Sequence, residues 1–365
     1  MRLQASYFKH VFRFNFKART SRGLMSEKIS WFIKLWDERN PEIFGIGECG
    51  PLPGLSLDAT SDFDSLLGKF VKDVSHINGA TVQEHSCTSI APQLGEIIPA
   101  HFPAIRFGAE TAWLDLSHGG KRIIFKNQFL LGKTIPINGL IWMGEPDDMM
   151  RQVHQKIAQG FRCIKLKIGG LDFEQECDVL REIRRQYPSN NITIRLDANG
   201  AFQPNEAFSK LQLLSQFNIH SIEQPIKEGQ REMSDLCQKS PIAIGLDEEL
   251  INHRDTESKK ELLRELNPRY IILKPTLHDG ITGCNEWINA AEGMGIGWWI
   301  TSALESNIGL NAICQYTANH EINVPQGLGT GAIYQNNIES PLMVSDGQIF
   351  LHNSKRWNLE PLIEK

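Results

Sequence analysis

The sequence predicts an α/β fold, a modified (β/α) TIM-type barrel of seven to eight units joined to a smaller α+β capping domain. Three observations predict it. Short, nearly uniform apolar runs recur between Lys165 and Glu305, reading IKLKIGG, IRLDANG, SIEQPI, AIGLDEE, IILKPT and WWITSALES. Their polar ends, Lys167, Asp197, Glu223, Asp247, Lys274 and Ser302, follow one another at intervals of 24 to 30 residues, the pitch of one strand, one helix and two loops. Most runs are trailed by helical spacing, as at residues 173–185 and 205–217. Apolar strands alternating with helices make a parallel sheet covered on both faces. This many units in so short a stretch fit a closed barrel better than an open doubly wound sheet.

The elements follow in order. Residues 2–17 and 28–36 alternate apolar and polar side chains, the second run around Trp31, Ile33 and Leu35, with TSRGLMSEK between them as a Gly-bearing connection. A third strand at 43–49 completes an antiparallel meander. GECGPLPGLS is a loop, since its prolines and glycines prevent regular structure. Helical spacing returns at 61–76 and 104–118. Residues 1–125 therefore read as the α+β domain. The barrel domain spans 126–331, entering on IPINGLIWMG as its first strand, followed by a helix at 146–159, and ending with an eighth strand candidate at 322–327. The tail, 332–365, carries a short strand pair around 343–345 and 348–351 and is expected to pack back on the N-terminal unit.

Composition narrows the partners. The chain has 365 residues, a net charge of −5 and a pI near 6.1, so no basic excess exists to neutralise phosphates, and neither nucleic acid nor a membrane is an expected partner. Its seven cysteines are odd in number and scattered, without a CxxC pair, as in reduced cytoplasmic proteins. The N-terminal residues lack the apolar core of a secretion signal, and no apolar run approaches the ~20 residues of a membrane span. The expected partner is a small-molecule carboxylate, and the composition is compatible with a homo-oligomer. LLGKT lacks the first glycine and the following helix of a phosphate loop, and GLGTG lacks the context of a dinucleotide site.

In a parallel barrel the loops at the C-terminal strand ends converge over one opening. Asp197, Glu223 and Asp247 end three consecutive strands there. Singly each reads as a solvated loop residue or a helix cap; at equivalent positions of consecutive units they read as ligands. All-oxygen ligation selects a hard cation, Mg²⁺ first and Mn²⁺ second, over zinc. Lys165 and Lys167 flank Leu166, so both point into the barrel mouth, where mutual repulsion and desolvation favour the neutral amine of a base. Lys274 closes an apolar run on a strand roughly opposite. Lysines opposed across a hard cation suit the removal of an α-proton from a carboxylate.

The set KxK (Lys165, Lys167), DAN (Asp197, Asn199), EQP (Glu223 to Pro225), DE (Asp247, Glu248) and KP (Lys274, Pro275) resembles the enolase superfamily, in particular its muconate-lactonizing subgroup. The resemblance covers essentially the whole chain. It implies that Asp197, Glu223 and Asp247 bind Mg²⁺, that Lys167 is the base, that Lys165 aids carboxylate binding, and that Lys274 stands on the other face. Within the subgroup, TSALESNIGL and GLGTGAIYQNN are similar to the family of o-succinylbenzoate synthases, lyases of menaquinone biosynthesis that dehydrate 2-succinyl-6-hydroxy-2,4-cyclohexadiene-1-carboxylate through an enediolate. That resemblance implies that Lys167 moves the proton, that Lys274 stabilises the enediolate as a cation, and that Ser302, Asn199 and Glu248 belong to the substrate-binding set. Loops 20–28 and 50–57 match the capping-domain loops that close over such sites. Two rivals differ in class. An N-acylamino acid racemase or dipeptide epimerase would use the same lysines, but epimerases carry an acidic pair near the eighth strand where this chain has the neutral GLGTGAIY. A binding protein without turnover would not need the intact acid–base set.

Overall fold

The computed structural model describes residues 2–20, 23–77 and 92–363. An antiparallel sheet opens the chain, with β1 (Leu3–Thr20), β2 (Gly23–Asp37) and β3 (Asn40–Cys49) in that order. TSRGLMSEK is not the connection its glycine suggests. Thr20 pairs with Gly23 and Ala18 with Met25, so strand continues to both edges of Ser21 and Arg22, which lie outside the described residues. A two-stranded ribbon satisfies its backbone without a buried face, so it need not alternate in sequence.

Helices α1 (Phe63–Val74), α2 (Pro92–Glu96) and α3 (Pro103–Ser117) complete this unit. β3 packs backbone to backbone on α3. A Cβ at Gly47 would stand 1.8 Å from the Gly108 carbonyl oxygen, so only glycine permits the approach. This lets α3 lie between the sheet and the rest of the molecule, buried along nearly its whole length.

Two short strands follow, β4 (Ile135–Pro136) and β5 (Gly139–Ile141). From there helices and strands alternate: α4 (Pro146–Ala158), β6 (Cys163–Lys167), α5 (Phe173–Gln186), β7 (Thr193–Asp197), α6 (Pro204–Ser215), β8 (Ile219–Glu223) and α7 (Glu232–Lys239). The series continues with β9 (Ala243–Leu246), α8 (Thr256–Leu266), β10 (Tyr270–Leu273), α9 (Gly280–Glu292), β11 (Gly297–Ile300) and α10 (Asn307–Thr317). Strands β5 to β11 form one parallel sheet in sequence order.

Two details differ from the sequence reading. IPINGLIWMG is divided: Ile135 and Pro136 pair antiparallel with the C-terminal tail, and only Gly139–Ile141 joins the parallel sheet. Pro136 has no N–H to give a central ladder. Residues 322–327 do not form a continuous strand either. Pro325 interrupts the run, and single parallel bridges join Gln326 to Ile137 and Gly327 to Thr301, touching both edges of the sheet.

The tail forms a hairpin of β12 (Leu342–Ser345) and β13 (Gln348–Leu351), which adds to β4. The segments around it face the N-terminal sheet: Tyr334 bridges Phe14, and Tyr334, Ile338 and Leu362 cluster with Phe12, Phe14 and Phe32. A short helix α11 (Glu360–Ile363) ends the described chain. No described helix is long and apolar enough to cross a membrane. Six cysteines are free; Cys87 lies outside the described residues.

A buried carboxylate joins the two halves. Glu110 of α3 accepts hydrogen bonds from the backbone N–H of Ile281 (2.5 Å) and from the Thr282 hydroxyl (2.6 Å), capping α9 from another element. Burial pushes its carboxyl up from 4.5 to about 7, and these bonds only partly oppose it. A carboxyl raised on folding binds its proton more tightly in the native state. Its stabilising contribution is therefore complete below the unfolded value and is lost as pH rises through the folded one. Between pH 4.5 and about 7 the parent chain is expected to lose up to roughly 3 kcal/mol through this group, and Glu110→Gln to lose correspondingly less. Urea unfolding at pH 5 and pH 8 measures the difference, and equal slopes in both proteins would contradict it.

Candidate active site

The parallel sheet sets the site by register. Lys167 at the end of β6 pairs with Asp197 at the end of β7, and Asp197 pairs with Glu223 at the end of β8. Glu223 pairs in turn with Gly245 of β9, so Asp247, two residues further on, has the parity of the same face. All three carboxylates are at most 1% exposed. Loop geometry assists. Asn199 and Gln224 adopt left-handed φ angles of 43° and 39° just beyond their strands. The Gln224 side chain accepts from the N–H groups of Asp247 (3.1 Å) and Glu249 (3.2 Å), fixing the turn that presents Asp247. After β6, the Glu176 carboxylate accepts from three successive N–H groups, Gly169 to Leu171, and pins the loop that follows Lys167.

The lysines are interleaved with these carboxylates. Lys165 donates to Glu223 and lies 2.9 Å from Asp197. Lys167 donates to Asp197 (3.1 Å) and to Asn199 Oδ1 (2.7 Å), and Asn199 Nδ2 donates on to Glu248 (3.0 Å). Lys274 grips both oxygens of Asp247, at 2.6 and 2.5 Å. Burial alone would raise the Asp197 carboxyl, but Lys165 and then Lys167 and Lys274 hold it well below the usual range. Glu223 is pushed the other way, by burial and by its neighbours Asp197 and Asp247, against the pull of Lys165. For Lys165 burial favours the neutral amine, as the sequence reading anticipates, yet Asp197, Glu223 and Asp247 outweigh it and hold the ammonium above its ordinary value.

Among the described residues no three Asp, Glu, His or Cys side chains are gathered tightly enough to ligate one ion as they stand, because each carboxylate is turned to a lysine. Their chemistry nevertheless fits a hard cation. The donors are all carboxylate oxygens on neighbouring strand ends, and Glu223 Oε1 is buried without a hydrogen-bond partner.

A cavity of about 430 Å³ opens over this array. Its floor carries Lys165, Lys167, Asp197, Asn199 and Lys274, and its roof Leu24 and Met25 of β2 with Leu52, Pro53 and Leu55 of the loop after β3. One wall is Ser302, Ala303 and Leu304; another is Leu140 and Trp142, whose indole meets the Phe16 ring at a tilt, 5.0 Å between centres. The cavity thus gathers all three lysines, Asp197, Asn199 and Ser302. Glu223, Asp247 and Glu248 lie beneath it, hydrogen-bonded to its lining. Ser302 lines the wall, but its hydroxyl donates to Glu305 (2.5 Å) and accepts from Thr330 (2.8 Å), so its donor is already engaged. The sequence reading missed Gln224, Glu305, Thr330 and Trp142. EQP and WWITSALES contained two of them, but nothing in the spacing reveals that these side chains bond to backbone and hydroxyl groups elsewhere.

Comparison with known proteins gives a consistent answer. Residues 148–355 match the family described as enolase C-terminal domain-like. The chain is 43% identical to o-succinylbenzoate synthase of Desulfotalea psychrophila (strain LSv54 / DSM 12343), over 94% of this chain and 98% of that protein. The crystal structure of MenC from Desulfotalea psychrophila LSv54 superposes with a TM-score of 0.87 at 40% identity, covering 96% of this chain and 100% of that one. A dipeptide epimerase from Enterococcus faecalis V583, complexed with Mg and the dipeptide L-Leu-L-Tyr, shares the fold at a TM-score of 0.81 and 19% identity, over 98% of this chain and 99% of that one. The chain belongs to the enolase superfamily, in the family of the o-succinylbenzoate synthases.

Proposed function

We propose that this chain is a Mg²⁺-dependent hydro-lyase that dehydrates 2-succinyl-6-hydroxy-2,4-cyclohexadiene-1-carboxylate to o-succinylbenzoate, a step of menaquinone biosynthesis, in the cytoplasm. The observation that carries the reading is that Lys167 of β6 and Lys274, just beyond β10, line one cavity above three buried carboxylates. Full-length similarity to an o-succinylbenzoate synthase supports the substrate.

In this reading Asp197, Glu223 and Asp247 would hold Mg²⁺, with Mn²⁺ as a substitute. Bound there, the ion would supply positive charge that makes the α-proton of a substrate carboxylate more acidic. Lys167, as the base, takes the α-proton. The bond to the ring hydroxyl breaks, the same proton leaves with that oxygen as water, and the ring becomes aromatic, returning Lys167 to its initial state. Lys274 faces the developing enediolate as a cation and lowers its energy. Lys165 lies between Asp197 and Glu223 and assists the carboxylate end. Asn199 ties Lys167 to Glu248 and so orients the base.

Segment 326–327, bridging both edges of the parallel sheet, supports closure into a (β/α) barrel. We assign residues 126–331 to that catalytic domain, and 1–125 with 332–365 to the capping domain. Absorbance of the aromatic product, followed with the cyclohexadiene substrate and Mg²⁺, tests the reading. Turnover is expected, and excess EDTA is expected to lower it about 10³-fold or more, with recovery on adding Mg²⁺ back. Activity indifferent to EDTA would remove the metal from the account.

A further inference from the structure

Leu304 lies on the cavity wall with a φ of 64°, a left-handed conformation that a branched residue adopts only when its surroundings hold it there. Its carbonyl oxygen is gripped from two directions. Lys28 of β2 donates to it at 2.8 Å, and the Tyr334 hydroxyl donates to it at 2.6 Å. Neither donor belongs to the loop it holds. Lys28 is 2% exposed and comes from the N-terminal sheet, in the field of the buried carboxylates Glu48 and Glu305. Tyr334 follows the barrel and packs its ring at a tilt against Phe12 and Phe14 of β1, with ring centres 5.0 and 4.9 Å away.

The neighbours of Leu304 are fixed by the same network. Glu305 accepts from the hydroxyls of Thr276 and Ser302, each at 2.5 Å, while Glu48 accepts from the Ser306 hydroxyl (2.6 Å) and from the Gly309 N–H (3.1 Å) at the start of α10. The Leu304 side chain, together with Met25 and Leu55, packs on the apolar cluster of Leu52, Ile251, Leu277 and Ala303, where β2 and the loop after β3 meet the loops of the parallel sheet. The backbone twist at Leu304 therefore decides where one apolar wall of the cavity stands. It is held by one group from the sheet and one from the tail, and a shift of either would move the wall.

We propose that Lys28 and Tyr334 are positioning residues for substrate recognition: by holding the Leu304 carbonyl they fix loop 302–305 and set the shape of that wall of the cavity. The inference rests on the dehydration reaction proposed above. Neither residue lines the cavity. Their effect is therefore on how well the substrate fits, with the proton-transferring lysines left in place.

Tyr334→Phe is the deciding variant, because it deletes one hydroxyl and keeps the ring contacts with Phe12 and Phe14. KM for the cyclohexadiene substrate is expected to rise roughly 5- to 10-fold with kcat changed by less than about twofold, and Tm to stay within about 3 °C of the parent. Calorimetric titration with o-succinylbenzoate, which needs no turnover, is expected to show the same loss of affinity. Unchanged KM and affinity would overturn the proposal, as would KM and kcat worsening together with a large fall in Tm, which marks a structural role only. A parent chain that binds the product but does not form it would refute the reaction and leave the positioning role to be decided by titration. A parent that neither binds nor reacts overturns both.

Discussion

Lys167→Ala is expected to lower dehydration about 10⁴-fold while leaving the folded structure intact, because the account gives this amine both proton transfers. The geometry makes the variant informative. Lys167 is partly exposed to the cavity and is held by Asp197 and Asn199, so its loss leaves Asp197 still paired with Lys165 at 2.9 Å. Folding should therefore survive, and circular dichroism with a melting curve checks that it does. Product affinity should fall only modestly, since binding of the carboxylate end is attributed to Lys165 and the cation. A variant that kept more than a few per cent of parental kcat would exclude Lys167 as the base.

Lys274→Met is the second large effect, and here two consequences must be separated. The ammonium donates to both oxygens of Asp247, which is wholly buried. Removing it leaves a carboxylate without its partner, a loss that costs on the order of 3–5 kcal/mol in buried pairs. It also removes the cation facing the enediolate, expected to lower kcat by about 10²- to 10³-fold. Lys274→Arg keeps the charge but misplaces it, so it should restore most of the stability and little of the rate. Denaturation measured beside kcat for both variants distinguishes the roles, and full activity in either would contradict the assignment of Lys274.

Most of this site was legible because parallel strands are buried on both faces. A charged residue ending such a run has few places to be except the barrel mouth, so Lys167, Asp197, Glu223 and Lys274 could be read from spacing alone. Register then made Asp197 and Glu223 direct partners. What the sequence concealed lies in contacts between distant segments. Within TSRGLMSEK, β1 reaches Thr20 and β2 begins at Gly23 because the two strands satisfy each other, which leaves no periodic mark. The split of IPINGLIWMG depends on a tail more than two hundred residues away claiming Ile135 and Pro136. Ser302 ends its run as a free hydroxyl would, yet Glu305 three residues on has taken its proton donor. Lys28 opens the alternating run 28–36, a pattern that does not reveal that it is buried and donates to the distant Leu304 carbonyl. The lysines and carboxylates of the array sit at strand ends, where pattern is strong. The substrate wall sits in irregular loops, where it is weak.

The central claim, that this cavity carries out elimination of water, is tested most directly by incubating the parent chain with Mg²⁺ in D₂O. One reaction contains the cyclohexadiene carboxylate; parallel ones contain N-succinyl amino acids and dipeptides. Each is followed by ultraviolet absorbance and by proton NMR. The account predicts rapid formation of o-succinylbenzoate, faster than any exchange of an α-proton for a deuteron in the amino acid compounds. Rapid deuterium exchange in those compounds, with the cyclohexadiene left unchanged, would contradict it and identify the chain as a racemase or epimerase on the same fold.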